Sequence, residues 1–160
     1  MTPDAYKRRA DLATPVLLCR VADLHCAIPA ARVLEVMRRL AIDPLSGMPS
    51  FVLGLSIIRG TPVPVLDAGC LLSAATSRAP YFVAIDVGGR LVALAVDQVI
   101  GLRRIAEDTL APLPPLLKNS ADDVVAAIRA RDGELLLVLN TARLVPPRLL
   151  AELNGTEAPR

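Results

Sequence analysis

Three cysteines (Cys19, Cys26, Cys70) and one histidine (His25) are the residues best suited to hold a soft metal or act as nucleophiles. An odd cysteine count with no C-x-x-C spacing argues against a zinc site or a disulfide framework. Any Ser-His-Asp triad would have to use His25. On a strand, His25 and Cys26 point to opposite faces, so they do not easily share one ion. An exposed His25 is the simpler reading. Gly54-Leu55-Ser56 matches the first half of a G-x-S-x-G nucleophile elbow, but Ile58 stands where the second glycine belongs. Asp67, Asp86 and Asp97 each lie near a strand end. Paired carboxylates perform acid–base chemistry, yet aspartates at such positions more often cap turns. Asp97 interrupts an apolar run, LVALAVDQV, which suggests a specific structural or interface hydrogen bond. No G-x-G-x-x-G and no G-x-x-x-x-G-K-[ST] loop is present. The sequence therefore predicts no metal, no cofactor and no catalytic residue.

Arg59 stands apart from these. It follows the almost wholly apolar run Phe51 to Ile58 and precedes Gly60 and the segment Thr-Pro-Val-Pro-Val-Leu-Asp67. An arginine at that point sits where the backbone turns sharply and presents a bidentate donor at a rim. Two roles compete for it: burial against a carboxylate, or exposure as a recognition residue.

The elements that position these residues read mainly as strands. Val16 to Val21 and Leu24 to Ile28 form a hairpin about Ala22-Asp23, which sets Val21 opposite Leu24, Arg20 opposite His25 and Cys19 opposite Cys26. Cys19 and Cys26 are thereby predicted to be buried cross-strand neighbours. Pro29 opens a predicted short helix over Ala30 to Arg39, because Val33, Val36 and Met37 recur at i, i+3, i+4. That stripe reads as core, or as one side of a binding groove. Pro62 and Pro64, two apart, predict an edge strand. Tyr81 to Val87 and Arg90 to Val96 form a hairpin about Gly88-Gly89, with strand character continuing to Leu102. Val124 to Arg129 and Leu135 to Leu139 form a third about Arg131-Asp132-Gly133. Residues 107–120 read as an exposed, mobile proline-rich loop, and Pro147 to Leu153 as the start of a terminal helix.

Length and composition bound the class. A chain of 160 residues buries a core without staples, as one domain or two small lobes. Mean hydropathy is high at +0.48. Arg59, Asp67, Arg78, Asp86 and Arg90 nevertheless break every apolar stretch short of the ~20 residues a spanning helix needs, so no direct membrane insertion is expected. Met1 to Arg20 carries Asp4, Lys7, Arg8, Arg9 and Asp11 and lacks a signal-like apolar segment, which predicts a cytoplasmic protein. Basic residues are dispersed and aromatics are 2%, so nothing supports nucleic-acid binding.

Several segments, in order, resemble the CheW-like chemotaxis adaptors. Gly54-Leu55-Ser56-Ile57-Ile58-Arg59-Gly60 is similar to that family's Gly-Val-Ile-Asn-Leu-Arg-Gly strand. Val63-Pro64-Val65-Leu66-Asp67 is similar to the strand that follows it. Arg32 to Val36 resembles the short helix, Leu91 to Asp97 with Val99 the second-lobe strand, and Leu135 to Leu144 the closing strand. The family's asparagine is Ile57 here, its hairpin glycine is Ala22, first-hairpin aromatics fall at Cys19 and Cys26, and a leucine is Ala68.

The resemblance implies a mainly β fold of two small SH3-like five-stranded barrel lobes packed together, with short helices. It implies a flexible tail over 1–13, one domain over 14–146 with a lobe boundary near 73–80, and a C-terminal helix and tail over 147–160. The implied function is non-catalytic: an adaptor coupling the cytoplasmic tip of methyl-accepting chemoreceptors to the regulatory domain of a CheA-type histidine kinase, recruited to membrane-associated arrays. The same adaptor in pilus motility or development is the alternative, and a small hydrolase using Cys26 or Ser56 is a third. The partner-binding residues implied are Val33 and Val36 in a groove, Gly54, Arg59 and Gly60 at a rim, and Glu35 beside them.

Overall fold

A computed structural model of the chain describes residues 13–72, 74, 78–112, 124–131, 134–145 and 149. The first strands, β1 (Ala13–Val21) and β2 (Leu24–Pro29), form the expected hairpin, with Val21 opposite Leu24, Arg20 opposite His25 and Cys19 opposite Cys26. Ala22 turns the chain with φ 53°, a left-handed conformation that glycine adopts without strain. Asp97 secures it: the backbone N–H of Ala22 donates to the Asp97 carboxylate, and the Asp97 N–H donates to the Arg20 carbonyl at 3.0 Å. A charge inside an apolar run thus serves as the clasp of a distant turn.

Next come β3 (Val33–Arg38), β4 (Val52–Ile58), β5 (Thr61–Asp67), β6 (Tyr81–Val87) and β7 (Arg90–Val96), which make one sheet in the order β3-β6-β7-β5-β4. Then β8 (Gln98–Ala106), β9 (Ala111–Pro112), β10 (Val125–Arg131) and β11 (Glu134–Leu139) join the first hairpin in a six-stranded sheet, β8-β1-β2-β11-β10-β9. The fold is mainly β, in two sheets. They interleave along the chain: the five-stranded sheet occupies one continuous run, and the chain changes sheet at the 3-10 turn Ala30–Arg32 and at Asp97. The boundary expected near 73–80 instead separates β5 from β6, both in the five-stranded sheet. Sequence order alone does not reveal this, because the partners of β1 and β2 lie beyond residue 97.

One core joins the sheets. Leu17, Cys19, Val21, Cys26 and Ile28 from the first hairpin pack with Val83, Ile85, Val87, Val92, Leu94 and Val96 from β6 and β7. The other face of β6 and β7 supplies Phe82, Ala93 and Ala95 to a second cluster with Ile58, Val63 and Val65. Burial on both faces explains why these two strands read as nearly continuous apolar runs.

The helix predicted over Ala30 to Arg39 is a correction. Only Ala30–Arg32 is helical, as a 3-10 turn, and Val33–Arg38 is an edge strand paired with β6. A short isolated helix is marginal, whereas pairing with β6 satisfies the backbone. The misleading spacing has a structural cause. Val33 pairs with Ile85, Glu35 with Ala84 and Val36 with Val83, so Leu34 is the extra residue of a bulge. The bulge shifts the alternation by one and puts Val33 and Val36 on the same face.

Other expectations need adjusting. The proline-spaced β5 is an inner strand, but β7 pairs only with Val65, Leu66 and Asp67, so the stretch holding Pro62 and Pro64 is locally an edge. His25 is half-buried rather than exposed, because β11 lies beside β2 with Leu136 opposite it. The second hairpin has the expected strands. In the third, Arg131 pairs with Glu134, which leaves 132–133 outside the described residues. Residues 107–109 form a 3-10 turn and Ala111–Pro112 pairs with β10, where a loop was expected. Residues 113–120, the tail over 1–12 and the terminal helix lie outside the described residues, apart from Leu149, which is buried against the shared core.

Cys19 and Cys26 are fully buried, and all three cysteines are reduced. Their mutual hydrogen bond, with burial and the neighbouring thiol adding to it, pushes the Cys26 thiol well above its ordinary range. A neutral, enclosed thiol is a poor nucleophile. Thiol labelling of the native chain is expected to modify Cys70 first. Cys19 and Cys26 should react only at the rate of global unfolding, followed by mass spectrometry across a denaturant series. Rapid labelling of either in native buffer would contradict the shared core.

Candidate functional site

The site begins with a two-residue turn. Ile58 pairs with Thr61, so Arg59 and Gly60 alone join β4 to β5. Both have positive φ, 52° and 80°, the pattern of a type I′ hairpin turn, whose central positions favour Asn, Asp and Gly. Left-handed backbone costs a non-glycine residue roughly 1–2 kcal/mol. Backbone preference therefore does not select arginine at this position.

Its side chain accounts for it better. The guanidinium is 78% exposed and forms a fork with Glu35 of β3: Nε donates to Oε2 at 3.0 Å and Nη2 to Oε1 at 2.9 Å. Exposure and a carboxylate partner thus coexist, where the sequence offered them as alternatives. The hydrogen bond from Arg59 holds the Glu35 carboxyl below its usual range, and the pairing raises Arg59 in turn. An exposed pair of this kind adds little to stability. What it does is fix the direction of a planar donor whose remaining N–H groups face solvent.

Leu34 and Val36 flank Glu35 along β3, and Ile57 lies two residues before Arg59. Leu34, at the bulge, is 63% exposed, Val36 is 41% and Ile57 is 57%. Along β4, Gly54, Ser56 and Ile58 are buried and Ile57 faces water, while Leu53, at a bulge, packs against the second cluster. The serine is buried and the isoleucine faces water, the reverse of what their polarities suggest. Leu34 is not singled out by the sequence, and Ile57 stands there only as a departure from the family's asparagine; the inward placement of Gly54 and Ser56 is the signal that Ile57 faces out.

The predicted site residues fall into two groups. Glu35, Val36, Arg59 and Gly60 reach the surface, with Val33 partly buried beside the shared core. Gly54 is interior. A Cβ there would lie 2.1 Å from the Asp43 carbonyl oxygen. Asp43 and Leu55 exchange backbone hydrogen bonds at 2.8 and 2.9 Å, which draws the segment after β3 onto β4 and brings the two edges of the sheet together. Gly54 serves that close approach.

The remaining candidates are committed structurally. The Ser56 hydroxyl donates to the Ala41 carbonyl at 2.7 Å and is buried. Asp67 accepts from the N–H groups of Gly69 and Cys70 and caps a short helical turn. Asp86 accepts from the Gly89 N–H at 2.8 Å and lies 3.6 Å from Arg32. Among the described residues, no group of three or more His, Cys, Asp and Glu side chains is placed to hold a metal.

Residues 15–147 match the CheW-like domain. The chain is 34% identical over 132 residues to protein FrzA of Myxococcus xanthus, covering 79% of this chain and 81% of that one. It is 22% identical over 147 residues to chemotaxis protein CheW of Rhizobium meliloti strain 1021, covering 89% and 94%. Its fold matches the crystal structure of scaffolding protein TtCheW from Thermoanaerobacter tengcongensis with a TM-score of 0.74, over 91% of this chain and 97% of that one, at 21% identity.

The two glycines of the motif are expected to behave differently. Gly54→Ala forces a backbone clash at a buried position and should destabilise the fold by about 2 kcal/mol or more. Gly60→Ala meets no atom within 4 Å and carries only the left-handed strain, roughly 1–2 kcal/mol. Denaturant unfolding of both variants measures the difference.

Proposed function

The chain belongs to the CheW-like domain family, and from that premise we propose that it is a non-catalytic adaptor coupling methyl-accepting chemoreceptors to a CheA-type histidine kinase. The observation that carries this reading is Arg59: an exposed arginine kept in a strained turn position and oriented by Glu35. Strain retained at an exposed residue that contributes little to the fold is a mark of function. The receptor tip and the kinase regulatory domain are the partners assigned to this surface. The aliphatic residues Val33, Leu34, Val36 and Ile57 supply affinity by desolvation, and the fork at Arg59 supplies direction and register. Gly60 permits the turn, and Gly54 supports it from inside.

The sequence is nearer to FrzA than to the Rhizobium chemotaxis protein. The cognate kinase and receptor therefore need not be those of swimming chemotaxis; an adaptor for pilus motility or development uses the same surface. Ile57, in place of the family's asparagine, makes this surface more apolar and fits a divergent partner. The hydrolase reading loses support, since Ser56 is bonded to a carbonyl and Cys26 is buried and neutral. Among the described residues no helix is long and apolar enough to cross a membrane. The adaptor reading places the protein in the cytoplasm, with receptors recruiting it to arrays.

Arg59→Gly separates function from fold. Glycine relieves the turn, so the melting temperature should hold or rise. Affinity for the kinase regulatory domain or a receptor tip should fall about tenfold or more. A lower melting temperature with intact binding would overturn the reading. Acidity tests the fork itself. The Glu35 carboxyl titrates below its ordinary range in the folded chain, so its contribution is complete above the unfolded-state value and is lost as pH falls through the lowered folded value. Partner affinity should follow the same course, and Glu35→Gln should start weaker and lack that acid limb.

A further inference from the structure

Where β3 ends, the backbone N–H of Arg39 donates to the Pro80 carbonyl at 2.9 Å and its Nη1 donates to the Ala79 carbonyl at 3.2 Å. These bonds hold the segment after β3 alongside the residues leading into β6. A cleft of about 730 Å³ lies between them, lined by Arg38, Arg39 and Arg78 together with Leu40, Ile42 and Pro80. Among the described residues no carboxylate lines it. The Arg32–Asp86 and Arg59–Glu35 ion pairs lie elsewhere. Arg38 and Arg78 are exposed.

Three arginines line one cleft and give it a local positive field that an anion relieves. With Arg39 bonded to the Ala79 carbonyl, Arg38 and Arg78 are the two that offer a planar fork to an oxyanion. The rest of the lining narrows the class of ligand. Leu40, Ile42 and Pro80 offer aliphatic surface, and Leu40 is 39% exposed. Among the described residues no aromatic ring lines the cleft to stack a base, and no acidic side chain lines it to hold the divalent cation that accompanies a nucleotide. Carboxylates beside apolar side chains match a lining in which arginines adjoin aliphatic residues.

We propose that this cleft binds an acidic peptide segment of a partner protein, with its carboxylates on Arg38 and Arg78 and an apolar side chain over Leu40 and Ile42. The site shares no residue with the Glu35–Arg59 surface, so it stands or falls separately from the adaptor reading.

The full-length chain is titrated with a synthetic peptide of alternating Glu and Leu, followed by calorimetry and by the arginine side-chain NMR signals. A Gln-for-Glu peptide and inorganic phosphate serve as comparisons. Saturable binding that shifts the signals of Arg38 and Arg78 is expected, weakening as salt shortens the reach of the charges. In the double variant Arg38→Ala/Arg78→Ala the affinity should fall by about tenfold or more. Its melting temperature should not change, because both side chains are exposed; Arg38→Gln/Arg78→Gln repeats the test with the side-chain length largely kept. The proposal is overturned if the Glu peptide fails to bind, if the Gln peptide binds equally, or if binding survives both double variants. It is also overturned if phosphate shifts the same arginines at concentrations no higher than the peptide, which would make the cleft a site for small anions only.

Discussion

The hairpin β6–β7 is buried on both faces, and the rest of the molecule is arranged around that constraint. One face fills the interior of its own sheet and the other meets the first hairpin. Neither sheet could be removed without exposing a row of valines, leucines and isoleucines to water. At roughly 25 cal/mol per Å² of apolar surface, that exposure outweighs any single polar contact in the structure. Asp97, Ser56 and Asp67, polar groups admitted near this core, are each bonded to backbone atoms.

A rigid interior of this kind leaves the surface free to carry imperfect local choices. Arg59 sits where glycine or asparagine would be more comfortable, Ile57 faces water and Leu34 is displaced outward by a bulge. Each is a small departure from what the local backbone prefers, and they gather about the Glu35–Arg59 fork. Local preference and observed residue disagree most often at functional surfaces. Of the side chains that sequence motifs offered for chemistry, Ser56 and Asp67 are occupied by hydrogen bonds to the backbone and Cys26 is enclosed in the core.

Much of this was readable from the residues, and what was not has physical reasons. The three hairpins were legible because alternation and turn residues are local signals, down to the pairing of Cys19 with Cys26. The character of Val33–Arg38 was hidden because a bulge imitates helical spacing over so short a segment. Assignment of strands to sheets was hidden because β1 and β2 find their other partners at β8 and β11, far along the chain. In the site, the turn at Arg59-Gly60 was visible as punctuation. Its partner Glu35 was only a neighbouring candidate, since 24 residues separate the two and only the approach of β3 to the β4–β5 turn unites them.

The interleaving of the sheets also sets an order of events at the ribosome. Every strand of the five-stranded sheet has emerged before β8 begins, whereas the first hairpin, synthesised earliest, must wait for β8 on one side and β11 on the other. During that interval β1 and β2 have β6 and β7 to pack against, but both hydrogen-bonding edges of the ribbon stay open, the kind of edge that pairs with the wrong strand. The oldest segment of the chain is thus the last to have its edges closed, by strands that come from beyond residue 97.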